Sequence, residues 1–136
     1  MARWLFKEEP SHYSYADLER DGETVWNGVS NNMALQNLRK IRRKDRVLFY
    51  HSDSEKAIVG VMEVVADPVP DPDDTTGKLV VVRVKAVRQL RHPVPLSRIK
   101  ADSQLSGWDL VRLPRLSVVS VSEEQWRRVE ELSREN

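Results

Sequence analysis

The sequence predicts an α+β domain: a small curved sheet or incomplete barrel with short helices between its strands and at its ends. Three observations lead there. β-branched and aromatic runs recur along the chain without the regular alternation of long helices that a parallel sheet needs, and two segments carry helix-capping boxes. No repeat, linker or low-complexity stretch divides the 136 residues, so residues 1–136 are expected to form one domain. A chain of this size buries roughly two-thirds of its unfolded surface without covalent staples.

"RWLFKEE" reads as a first strand, stopped by Pro10. In "SYADLERDG", Ser14-x-x-Asp17 opens a short helix that Gly22 ends. "ETVW" is a β-branched run ending in an aromatic, and it passes through Asn27-Gly28 into an amide-rich turn. Ala34, Leu38 and Ile41 then fall at helical spacing, with Met33 and Leu35 flanking and charged or amide residues on the remaining surface. "RVLFYHS" and "AIVGVMEVVA", separated by "DSEK", form an antiparallel pair, and the proline- and aspartate-rich stretch from Asp67 to Lys78 is a surface loop.

"LVVVRVKAVRQL" places Val80, Val82, Val84 and Ala86 on one face and Arg83 and Lys85 on the other, the period of a half-buried strand. A short helix starts at Pro95 in "HPVPLSRIKAD", and "WDLVRLPRLSVVSVS" reads as strand interrupted by Pro114. Ser122-x-x-Gln125 opens a last helix that lays Trp126, Val129 and Leu132 on the sheet.

Composition excludes several functions. The absence of cysteine removes disulfides, thiolate metal sites and cysteine nucleophiles. The three histidines, His12, His51 and His92, lack metal-ligand spacing, so no metal is expected. Neither a nucleophile elbow nor a phosphate-cradling glycine loop is present, and the adjacent Glu8 and Glu9 point to opposite faces of a strand. The expectation is a protein that is not an enzyme and needs no cofactor. Without a signal-like N-terminus or a run of about 18–20 apolar residues, it is expected to be cytoplasmic and off the membrane.

Twenty-two basic against twenty-one acidic side chains leave a net charge of +1 and a pI near 8.0. That is below the pI of about 9 at which charge alone marks a nucleic-acid domain. The charge is uneven, however. Arg39, Lys40, Arg42, Arg43, Lys44 and Arg46 cluster at the end of the second helix, where they either cap its dipole or contact phosphates. Trp26 is the sharper signal, because a flat aromatic beside Asn27, Asn31 and Asn32, with Gly28 allowing close backbone approach, is how a nucleobase is held. Trp108 is either a second wall or a core anchor.

Six ordered blocks, "WLFKEEP", "VWNGVSNNMALQNLR", "DRVLFYHS", "AIVGVMEVV", "HPVPLSRIKAD" and "LVRLPRLSVVSVSEEQW", resemble the EVE domain of the PUA-like superfamily, to which the YTH readers also belong. The resemblance implies a PUA-like pseudo-barrel of five to six mostly antiparallel strands and a cleft for a modified base flipped out of DNA or RNA. Carried over by position, it implies a base-binding cleft of Lys7, Glu8, Trp26, Asn27, Gly28, Val29, Asn31, Tyr50, His51, Ser52, Arg115 and Ser117, with Trp108 added as the candidate second wall. Phosphates would meet Arg39, Arg42 and Arg43. The chain departs from the family pattern at Glu8 (commonly Ser), Asn27 (Asp), Ser30 (Arg) and Asn32 (aromatic or Pro). The expected function is therefore non-enzymatic recognition of DNA or RNA carrying a modified base. The alternatives are a sensor of free nucleobase or nucleotide in the same cleft and a protein-interaction domain.

Overall fold

Trp4, Leu5 and Phe6 are buried in succession, so the strand that holds them must be covered on both faces and paired on both edges. In the computed structural model, which describes residues 1–135, that strand is β1 (Arg3–Glu8). The chain continues through α1 (Tyr15–Asp21), β2 (Glu23–Trp26), α2 (Asn32–Lys40), β3 (Arg46–His51), β4 (Ala57–Val64), β5 (Val69–Pro70) and β6 (Val80–Pro95). It ends with α3 (Leu96–Ala101), α4 (Asp109–Arg112), β7 (Val118–Val121) and α5 (Glu123–Arg134). The strands run in the order β2-β6-β4-β3-β1-β7, with β5 paired to β6 off this path. Among the described residues only β1 and β3 pair in parallel; the other pairings are antiparallel.

The α+β reading, the strand-rich open sheet and the helix starts agree with the sequence. Both capping boxes form: Ser14 accepts from the Asp17 N–H and Ser122 from the Gln125 N–H, each at 3.1 Å. Two segments differ. Val69–Pro70, inside the expected loop, pairs with β6 and gives the sheet its seventh strand. "WDLVR" is a single helical turn, α4, because Trp108 turns into the core and Asp109 pairs with Arg112 three residues on; strand begins only at Val118.

Register breaks between Ile58 and Gly60 and between Val61 and Met62 bend β4 against the 16-residue β6 and curl the sheet. Gly60 makes room there for the ring of Tyr15, whose hydroxyl donates to the Val61 carbonyl at 2.8 Å. A Cβ at position 60 would lie 2.4 Å from that ring, which Phe49 holds in an edge contact. Gly60→Ala is therefore expected to cost about 1–3 kcal/mol of stability by overpacking, measured by denaturant unfolding.

In the Asp67–Lys78 segment the Asp74 carboxylate accepts from the Leu79 N–H at 2.9 Å and from the Thr76 N–H and hydroxyl, and these bonds hold its pKa down at about 2. A carboxylate depressed on folding stabilises above its unfolded pKa of about 3.9 and loses that contribution as pH falls through the folded value. The protection of the Thr76 and Leu79 amides, referred to their intrinsic exchange rates at each pH, is thus expected to fall between about pH 4 and pH 2, ahead of that of β1 and β3. No helix among the described residues is long and apolar enough to cross a membrane.

Candidate nucleic-acid interface

Parallel pairing of β1 and β3 sets Lys7 beside Tyr50 and Glu8 beside His51. Successive strand residues point to opposite faces, so these two pairs look in opposite directions. On one side, the Lys7 ammonium sits 5.6 Å from the Tyr50 ring centroid and donates to the Pro114 carbonyl at 2.9 Å. Burial holds the Lys7 pKa below the usual lysine range and raises that of Tyr50. Both line a cavity of about 580 Å³ completed by the β3–β4 turn, including Ser52 and Lys56, and by Leu96 and Lys100 of α3.

Pro114 is also a wall of a second cavity, about 500 Å³, between the start of α2 and the Arg112–Leu116 segment. Asn31 is the N-cap of α2: its Oδ1 accepts from the Ala34 N–H at 3.1 Å, and its Nδ2 bonds to none of the described residues. Met33, 49 % exposed, stands beside it, opposite Leu113 and Leu116. Arg112 is paired with Asp109 at 2.7 Å, whereas Arg115 has no acidic partner among the described residues. Apolar walls with one free amide group and one unpaired guanidinium suit a flat, polar-edged ring.

Several sequence expectations change. The Trp26 ring is 6 % exposed, packed against Phe6 and Phe49 at centroid distances of 5.2 and 5.4 Å, and it lines neither cavity, so it is core rather than an open stacking face. His51 has both nitrogens engaged: Nε2 accepts from the Tyr15 N–H at 3.0 Å, and Nδ1 lies 2.8 Å from Glu55. The proton must therefore sit on Nδ1, and the ring steadies the start of α1 instead of a ligand. Glu8 turns back on its own loop, accepting from the Glu9 N–H at 2.9 Å with His12 at 3.1 Å. Trp108 is buried and donates to the Ser120 carbonyl at 2.9 Å, away from both cavities.

Asn27 and Gly28 are exposed outside the cavities, Val29 is core, and Ser117 accepts the Lys7 N–H through its backbone carbonyl at 3.0 Å. Of the expected phosphate contacts, Arg39 bonds the Lys78 carbonyl and Arg42 the Arg39 and Ile41 carbonyls at the end of α2. The Arg43 side chain has no acidic partner among the described residues, but this basic end is separated from Asn31 by the length of α2, roughly 13 Å. The structure thus gathers Lys7, Tyr50 and Ser52 at one cavity and Asn31 and Arg115 at the next. Met33, Lys56, Lys100, Leu113 and Pro114 escaped the sequence reading; an exposed Met two residues after an N-cap was the one local signal among them.

Comparison with known proteins places this geometry among relatives. The EVE domain model matches residues 2–132. Rpa0253 from Rhodopseudomonas palustris is 38 % identical with a TM-score of 0.93, covering 98 % of this chain and 93 % of that one. Human THYN1, solved in complex with DNA containing 5-methylcytosine, is 26 % identical with a TM-score of 0.92, covering 100 % of this chain and 99 % of that one. Mouse thymocyte nuclear protein 1 is 27 % identical over 157 residues, 90 % of this chain and 70 % of the mouse protein.

Proposed function

Since the chain belongs to the EVE-domain family, we propose that it is a non-catalytic DNA-binding module that reads a modified base, with 5-methylcytosine as the lead candidate. The observation that supports this most is the human relative, whose solved chain has nearly the same fold over 99 % of its residues and was solved with DNA containing 5-methylcytosine.

The base occupies the cavity between α2 and the Arg112–Leu116 segment. Its 5-methyl group lies against Met33 and Leu116, where it removes apolar surface from water, and the Asn31 Nδ2 donates to a ring acceptor. Arg115 lays its guanidinium plane on the ring or meets the adjoining phosphate. Extruding a base from the duplex costs a few kcal/mol and stacking returns about 1–3 kcal/mol, so hydrogen bonds and backbone contacts supply the remainder.

The test is fluorescence anisotropy of matched duplexes that differ only in one cytosine, unmodified or 5-methylated, at two salt concentrations. Arg115→Ala is expected to weaken binding of the methylated duplex by about tenfold, the scale of one charged or stacked contact. Equal affinity of the wild-type protein for both duplexes at low and high salt would refute the reading.

A further inference from the structure

The cavity under Tyr50 is lined by three lysines, Lys7, Lys56 and Lys100, against one acidic side chain, Asp53. None of the three has an acidic partner within ion-pair distance among the described residues, whereas elsewhere in the protein Arg46, Arg88 and Arg128 are each paired with a carboxylate. They come from three separate elements, β1, the β3–β4 turn and α3, so no single amphipathic face explains their meeting. Lys56 is held at φ 47°, a left-handed conformation that disfavours any residue with a side chain. Lys7 is half-buried and has one acceptor, the Pro114 carbonyl, so at least two of its three donors remain free toward the cavity.

We propose that this cavity is a phosphate subsite in which Lys7, Lys56 and Lys100 bind the phosphate next to the recognised base. The placement rests on the base-reading proposal, because Pro114 is the common wall of the two cavities and one nucleotide strand can fill both. Ammonium groups suit a phosphate as point charges, and Ser52 and Ser54 on the same wall offer hydroxyl donors. The sequence-local basic cluster at Arg39–Arg43 is then not the main phosphate contact. A free nucleotide monophosphate presents the same chemistry as the strand, and the experiment separates the two.

Lysine side-chain ammonium resonances are followed by NMR while inorganic phosphate, 5-methyldeoxycytidine monophosphate and a methylated duplex are added in turn. Lys7, Lys56 and Lys100 are expected to shift together with each probe, while Lys85, bridged to Glu63 at 3.5 Å, stays still. A double variant, Lys56→Gln with Lys100→Gln, is expected to abolish the Lys7 response and weaken the duplex about tenfold. It should also lower the slope of log affinity on log salt by about one, leaving the ratio of methylated to unmethylated affinity unchanged. If inorganic phosphate moves these lysines no more than Lys85, the subsite is refuted. Lysine shifts with the monophosphate but an unchanged salt slope would overturn the strand as the source and leave the free nucleotide. Equal affinity for both duplexes with the lysine response intact would remove the base reading and keep the anion site.

Discussion

Asp45→Ala is expected to lower the unfolding free energy by about 3–5 kcal/mol. The Asp45 carboxylate is 3 % exposed. It accepts from the Ala2 N–H at 3.0 Å, the Trp4 indole N–H at 3.0 Å and the Arg42 N–H at 2.9 Å. It therefore ties the start of β1, the first core tryptophan and the end of α2 to the start of β3. Alanine leaves three donors without their acceptor, the indole N–H among the buried groups, and a hydrogen bond to a charged acceptor is worth about 1.5–3 kcal/mol. Asp45→Asn keeps the side-chain volume but turns one acceptor into a donor facing donors, so this variant is expected to recover only part of the loss. Urea unfolding of the three proteins checks both statements, and a midpoint for Asp45→Ala within error of wild type would contradict them.

Asn31→Asp is expected to weaken binding to a methylated duplex by about 10- to 100-fold while leaving the fold intact, because one good base contact carries about 1–3 kcal/mol. The two halves of the asparagine side chain have separate tasks: Oδ1 caps α2 and Nδ2 is free at the cavity. Aspartate is an equally good N-cap, and its charge suits the positive end of a helix, so stability should hold or rise by a few tenths of a kcal/mol. The same change replaces the only donor that the side chain offers the base with a carboxylate that repels both a ring acceptor and a nearby phosphate. Anisotropy and thermal unfolding on the same sample separate the effects. A variant that melts like wild type and still binds the methylated duplex normally would remove Asn31 from the site.

Much of the fold was legible because local signals and tertiary packing agree. The Ser14 and Ser122 capping boxes, the Gly22 stop and the alternation Val82, Arg83, Val84, Lys85 each predict an element the structure contains. "WDLVR" was misread because a buried Trp and two aliphatics in five residues suit a strand as well as one helical turn; the Asp109–Arg112 pair at i, i+3 was the discriminating feature. β5 is two residues long and takes its strand character from β6, not from its own sequence.

The candidate site was legible in part. Of the residues singled out by family position, Asn31 and Arg115 meet at one cavity and Lys7, Tyr50 and Ser52 at the other. Trp26 misled because an aromatic next to amides carries no sign of which face is already covered, and Phe6 and Phe49, which cover it, lie 20 and 23 positions away. Lys56 and Lys100 were invisible for a related reason: isolated lysines acquire meaning only when the β3–β4 turn and α3 bring them to Lys7. Asp45 was hidden inside "RKIRRKDR", where it reads as one acid among exposed bases, and its burial follows only from the reach of Trp4.

The most direct measurement is NMR of the Met33 methyl and the Asn31 side-chain amide during titration with duplexes carrying cytosine or 5-methylcytosine at one position. A base seated between α2 and the Arg112–Leu116 segment predicts a ring-current shift of the Met33 methyl and a displaced Asn31 Nδ2 resonance, both larger with 5-methylcytosine at equal saturation. A silent Met33 methyl, with shifts confined to Arg39–Arg43 at the far end of α2 and the same for both duplexes, would contradict base reading at this cavity.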